Sequence, residues 1–204
     1  MDRSGIQRII PIVLVLIVIV VAAVALFSVA RTLFFSGDSN TSQTQTVNSG
    51  KQALTNIQAG HSVRMTYRGP IVGQDKFHTY TITASPDSRN MTTYVGYLGQ
   101  QVDTSQLTNN TQAYEQLVFA LDRAKLMDGT PLTGDADDRR GICATGTVYE
   151  FDVLEGSSSI QNLWTSTCKA SAGSLKASLP AVSKLFQLQI PDYSKLFSKM
   201  NSSS

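Results

Sequence analysis

Residues 9–30 constrain this chain more than any other stretch of it. They form an uncharged run of 22 residues, nearly all Ile, Val, Leu, Ala or Phe. As a helix rising about 1.5 Å per residue it would measure roughly 33 Å, enough to cross the hydrocarbon core of a bilayer. Pro11 falls in the first turn, where a missing N–H costs little. A helix apolar all round needs apolar cover on every side, and the rest of the chain is too small to supply it. The run therefore reads as a membrane span.

Its flanks give the direction. Arg3 and Arg8 precede it with one acid, Asp2, and a single cation, Arg31, follows before a polar stretch. More positive charge on the short N-terminal flank places that flank in the cytoplasm and the remainder outside. Ser28-Val29-Ala30 offers a peptidase small residues, so cleavage after Ala30 is the alternative. The run is longer than the 7–15-residue core of a signal peptide, which favours an uncleaved anchor. No Cys lies nearby to carry a lipid and no second apolar run follows, so a single-pass protein is expected.

The expected division is a cytoplasmic tip over 1–8, a signal anchor over 9–35, a polar stalk over 36–49 and an external domain over 50–204. The stalk has one apolar residue, Val47, too little to order it by burial. The whole chain has 17 Lys+Arg and 15 Asp+Glu; setting aside Arg3, Arg8, Arg31 and Asp2 leaves fourteen of each sign. A neutral domain carries no electrostatic footprint for nucleic acid, so none is expected as a partner. Cys143 and Cys168 are the only cysteines. In an oxidising compartment a lone pair is most simply one disulfide.

Patterning within the domain predicts an α+β fold: an antiparallel sheet with helices packed on one face. Ser49 with Gln52 suits a capping box, and Ala53, Leu54 and Ile57 would line one side of a short helix ended by Gly60. Strands are expected over 62–68, 77–84 and 90–98, the second with His78, Tyr80, Ile82 and Ala84 on one side and Phe77, Thr79, Thr81 and Thr83 on the other. A helix is expected over 111–127, capped by Asn110 or Thr111, with Tyr114, Leu117, Val118 and Leu121 at i, i+3, i+4, i+7 spacing. Strands over 143–154 and 159–169 would form a hairpin stapled at its outer ends by the cysteines. Helical pieces over 179–189 and 192–200 close the chain, interrupted at Pro191.

The sequence holds few candidates for chemistry. Asp135, Asp137 and Asp138 begin like a Ca²⁺ loop, but its twelfth position is Gly146 rather than Glu, and Arg139 and Arg140 neutralise the cluster. That loop is expected to hold local ion pairs and no metal. His61 and His78 are the only bases of their kind. No nucleophile elbow, zinc-helix, phosphate-loop or dinucleotide motif accompanies them, and no cofactor is expected. Ser174 and Lys176 are an unremarkable pair in a Ser-rich chain. Tyr67, Tyr80, Tyr94, Tyr97 and Trp164 could form a carbohydrate or peptide platform, although core packing is the commoner use of such residues.

The start Met1-Asp-Arg-Ser-Gly5, then Ile6 and a long apolar run, resembles a type IV prepilin, which implies processing after Gly5 and a filament-forming subunit. Ile10 stands where that family carries Glu. The layout as a whole resembles uncharacterised bacterial envelope proteins built as tip, anchor, linker and small external domain. The expected function is therefore a non-enzymatic binding or scaffolding module at the cell envelope, with an envelope protein or glycan as partner. A pilin-like subunit and an envelope hydrolase are the alternatives.

Overall fold

Alternation of apolar and polar residues builds the sheet. The computed structural model describes residues 49–202, all within one compact unit; the tip, the anchor and nearly all of the stalk lie outside them. Among the described residues no helix is long and apolar enough to cross a membrane.

Six strands form one antiparallel sheet: β1 His61–Arg68, β2 His78–Ala84, β3 Ser88–Val95, β4 Gln100–Thr108, β5 Val148–Glu155 and β6 Ser158–Ser166. Their spatial order is β4-β3-β2-β1-β5-β6, so β1 is central and β4 and β6 are edges. Side chains alternate between faces with period two. One row across the sheet accordingly reads Met91, Ile82, Met65, Phe151 and Leu163, all buried. The row one residue along reads Thr104, Thr92, Thr81, Thr66, Glu150 and Trp164.

The apolar face is covered by helices: α1 over 49–55, α2 Thr111–Arg123, α3 Leu179–Gln187 and α4 Tyr193–Ser202. Leu54 of α1, Leu117 and Leu121 of α2, Phe186 of α3 and Met200 of α4 join the sheet residues in one core. This is the expected α+β layering, with the expected residues of α2 facing inward. Asn110 caps α2 by accepting from the Ala113 N–H at 2.9 Å.

Several boundaries move. α2 stops at Arg123 rather than 127, because Lys125 takes a left-handed conformation (φ 64°). The Lys125 N–H then bonds the Asp122 carbonyl and the Leu126 N–H bonds that of Leu121, a Schellman closure that returns Leu126 to the core. α1 ends at residue 55, and Gly60 instead serves the turn into β1 (φ 87°). β3 stops at Val95, and residues 96–99 turn the chain into β4, a strand the pattern did not predict. Residues 143–147 lie outside β5, and a 3-10 turn, Gly134–Asp137, occupies the acidic loop.

Candidate binding face

The sheet has a second face, and among the described residues no α-helix covers it. On β1–β3 that face is made of Thr66, Thr79, Thr81, Thr83, Asn90, Thr92 and Tyr94, with Arg64 and Arg68 between them. All are half-buried, as expected of side chains standing on an open sheet. Thr92 and Thr104 share a hydroxyl contact at 3.2 Å. The hydroxyls of Thr66, Thr79, Thr81 and Thr83 have no hydrogen-bond partner among the described residues. Their bonding capacity is left to solvent or to a ligand.

Over β5 and β6 the same face is roofed by the segment 128–147. A small second core, Cys143, Val148 and Trp164 with Leu132, Ile142 and Cys168 against it, lies beneath. Cys143 and Cys168 are disulfide-bonded, 25 residues apart in sequence, and close the roof at the hairpin's open end as the sequence predicts. Gly146 is required there, since a side chain would collide with Thr167 and the Cys143 sulfur.

Charged pairs fix the roof to the sheet. Arg139 donates to Asp137 Oδ2 and Glu150 Oε2, both at 2.7 Å. Burial opposes the Arg139 charge, but these two carboxylates outweigh it and its pKa is raised. Trp164 Nε1 donates to Asp137 Oδ1 at 3.0 Å. Arg68 lies 3.5 Å from Glu150 without a hydrogen bond from that nitrogen, and its other end donates to the Arg139 carbonyl. The Asp138 carboxylate is held down to a pKa of about 2 by the Arg140 guanidinium, in an exposed pair. Asp137 and Asp138 thus pair with the loop's own arginines, the local ion pairs expected there.

Beside the roof, Asp152 is 4% exposed and its two oxygens are fully used. Oδ2 accepts from Arg64 Nε and Nη2 at 3.2 and 3.0 Å, and Oδ1 from Ser159 at 2.7 Å and Asn162 at 2.8 Å. The other side-chain atom of Asn162, Oδ1, is buried and has no partner. Asn162 lines a cleft of about 220 Å³ between roof and β6, with Asp137, Ser159 and Gln161 as further polar lining and Pro131, Leu132 and Ile160 as apolar walls. An orphaned acceptor, a carboxylate edge and a hydroxyl on apolar walls suit a small group rich in O–H or N–H donors.

The remaining candidates are distributed, not gathered. His61 and His78 sit at opposite ends of the β1–β2 pair. His61 is buried and lies 2.9 Å from the Asn56 amide. Among the described residues neither histidine bonds a Ser, Cys or Asp side chain, and Ser174 Oγ accepts from the Trp164 N–H. Of the aromatic residues, Tyr67 and Tyr80 stack at 4.7 Å on the helix side, edge-on to Phe197. Burial, with a hydrogen bond to Tyr193, pushes the Tyr80 phenol up. Trp164 lies under the roof, Tyr94 stands on the open face and Tyr97 occupies the β3–β4 turn. The five do not form one platform. The sequence shows Thr79, Thr81 and Thr83 on one side of β2; what sequence reasoning missed is the register that aligns Thr81 with Thr66, Thr92 and Thr104 across four strands. No family model and no curated protein matches this chain.

Proposed function

We propose that this chain is a single-pass, N-in membrane protein whose external domain is a non-enzymatic binding module for an envelope glycan. The open threonine face carries the reading. It is rigid, because all four helices brace the sheet from behind, and it presents unspent hydroxyls, amides and one tyrosine ring in a fixed array. Such a surface matches the hydroxyl pattern of a neutral polysaccharide better than it matches an anion or an apolar peptide. The cleft at Asn162 gives the array one concave end. A disulfide in the domain agrees with an oxidising compartment outside the membrane, and Arg3 and Arg8 before residues 9–30 give the orientation.

The test is co-sedimentation of the full chain, in detergent, with isolated cell-wall polysaccharide. Wild type should pellet with it, and Thr66→Lys together with Thr81→Lys should abolish binding while the protein stays folded. Retained binding by that variant, or none by wild type, refutes the glycan reading. Protease protection in intact cells tests the orientation separately: a shielded C-terminal domain overturns it.

A further inference from the structure

At the end of the sheet where β1 leaves and β2 begins, two loops expose apolar side chains side by side. Ile71, Val72, Tyr97 and Leu98 are 44%, 39%, 51% and 93% exposed. Polar residues would serve a solvated turn better, and large apolar groups gathered in one place mark a contact surface. The loops are not slack. Phe77 and Tyr97 stack with ring centres 4.4 Å apart. The Gly96 N–H bonds the Phe77 carbonyl, the Tyr97 N–H bonds the Gln74 side chain, and the Tyr97 hydroxyl donates to the Val72 carbonyl. The Ile71 N–H is tied to the Ala144 carbonyl. The apolar tip is therefore held out from the sheet by its own bracing.

We propose that this tip dips into the surface of the bilayer that carries the chain's own anchor, a proposal that rests on residues 9–30 being that anchor. Two observations single out lipid as the occupant. The tip is exposed and almost uncharged: over 69–77 and 95–100 only Asp75 and Lys76 are charged, while Tyr, Phe, Leu and Ile suit the interface between headgroups and acyl chains. The stalk between the anchor's end at residue 35 and Ser49 is also long enough. Its 13 residues can extend to about 45 Å, whereas a domain of this size has a radius of gyration of about 15 Å. Any face of the domain can reach the membrane on that tether, and this one gathers four of its exposed large apolar side chains. Docked this way, the domain is held in a set orientation and does not swing freely.

The experiment uses the full chain in phospholipid vesicles with brominated acyl chains. Leu98→Trp is compared with Phe119→Trp, a half-exposed site on α2. Lipid quenching several-fold stronger at 98 than at 119 supports the proposal, and equal quenching overturns it. A photo-crosslinker at position 98 that captures a stoichiometric protein instead of lipid in cells also overturns it. Carbonate extraction reads the anchor independently. A chain retained by carbonate but silent at 98 loses only the tip, whereas a chain released by carbonate yet quenched at 98 loses only the anchor.

Discussion

Two adjacent rows of the same sheet differ by a single residue step and by everything else. The row Met91, Ile82, Met65, Phe151, Leu163 is sealed under helices. The row Thr104, Thr92, Thr81, Thr66, Glu150, Trp164 faces the other way, open across the threonines and roofed at Glu150 and Trp164. The contrast shows a division of labour. One face carries the stability, so the other is free to keep unsatisfied hydroxyls that a core could not tolerate. The roof is intermediate: held by a disulfide, ion pairs and a small apolar cluster.

If that division is real, substitutions should rank accordingly. Phe151→Ala, fully buried in the sealed row and against Phe186, should cost about 3–5 kcal/mol in denaturant unfolding. Replacing Cys143 and Cys168 together by Ala should cost about 3 kcal/mol by the chain-entropy model and leave the threonine face intact, read as an unchanged β-sheet circular dichroism spectrum. Asp152→Ala leaves Arg64 and two further donors without their acceptor. Because Arg64 is about a third exposed, the loss should be about 1–3 kcal/mol rather than that of a fully buried pair. The smallest effect should come from Arg140→Ala. Asp138 is depressed in the folded state, so its contribution exists above the ordinary carboxylate pKa and fades as pH falls toward 2. Removing Arg140 should raise the Asp138 pKa in an NMR titration with no detectable change in melting temperature. A Phe151→Ala protein as stable as wild type would break the comparison outright.

Most of the fold is legible in the chain because the sealed face writes itself in period-two and helical spacing. Val63-Met65 and Tyr80-Ile82-Ala84 announce β1 and β2, and Tyr114 to Leu121 announces α2. β4 is not legible, since Gln100–Thr108 has only Val102 and Leu107 as apolar residues. It is an edge strand held by backbone pairing and by a register shift at Thr93/Tyr94, where Thr93 Oγ1 bonds the Asp103 carbonyl. The end of α2 was hidden too, because a lysine and not a glycine adopts the left-handed position. The candidate face is less visible still. A threonine is an ordinary strand residue one at a time, and only the register between strands puts four of them in line.

The place of β1 has a mechanical consequence. It is the first strand after α1, yet it lies at the centre of the sheet, paired over six positions with β2 and over eight with β5. Tension arriving from the N-terminal side and borne by a ligand on the open face would pull β1 along its own length. Interstrand bonds on both sides stand across that direction and bear the load together, as in a shear joint, instead of opening one after another like a zip. A domain wired in this order would yield α1 first and keep its sheet whole under strain.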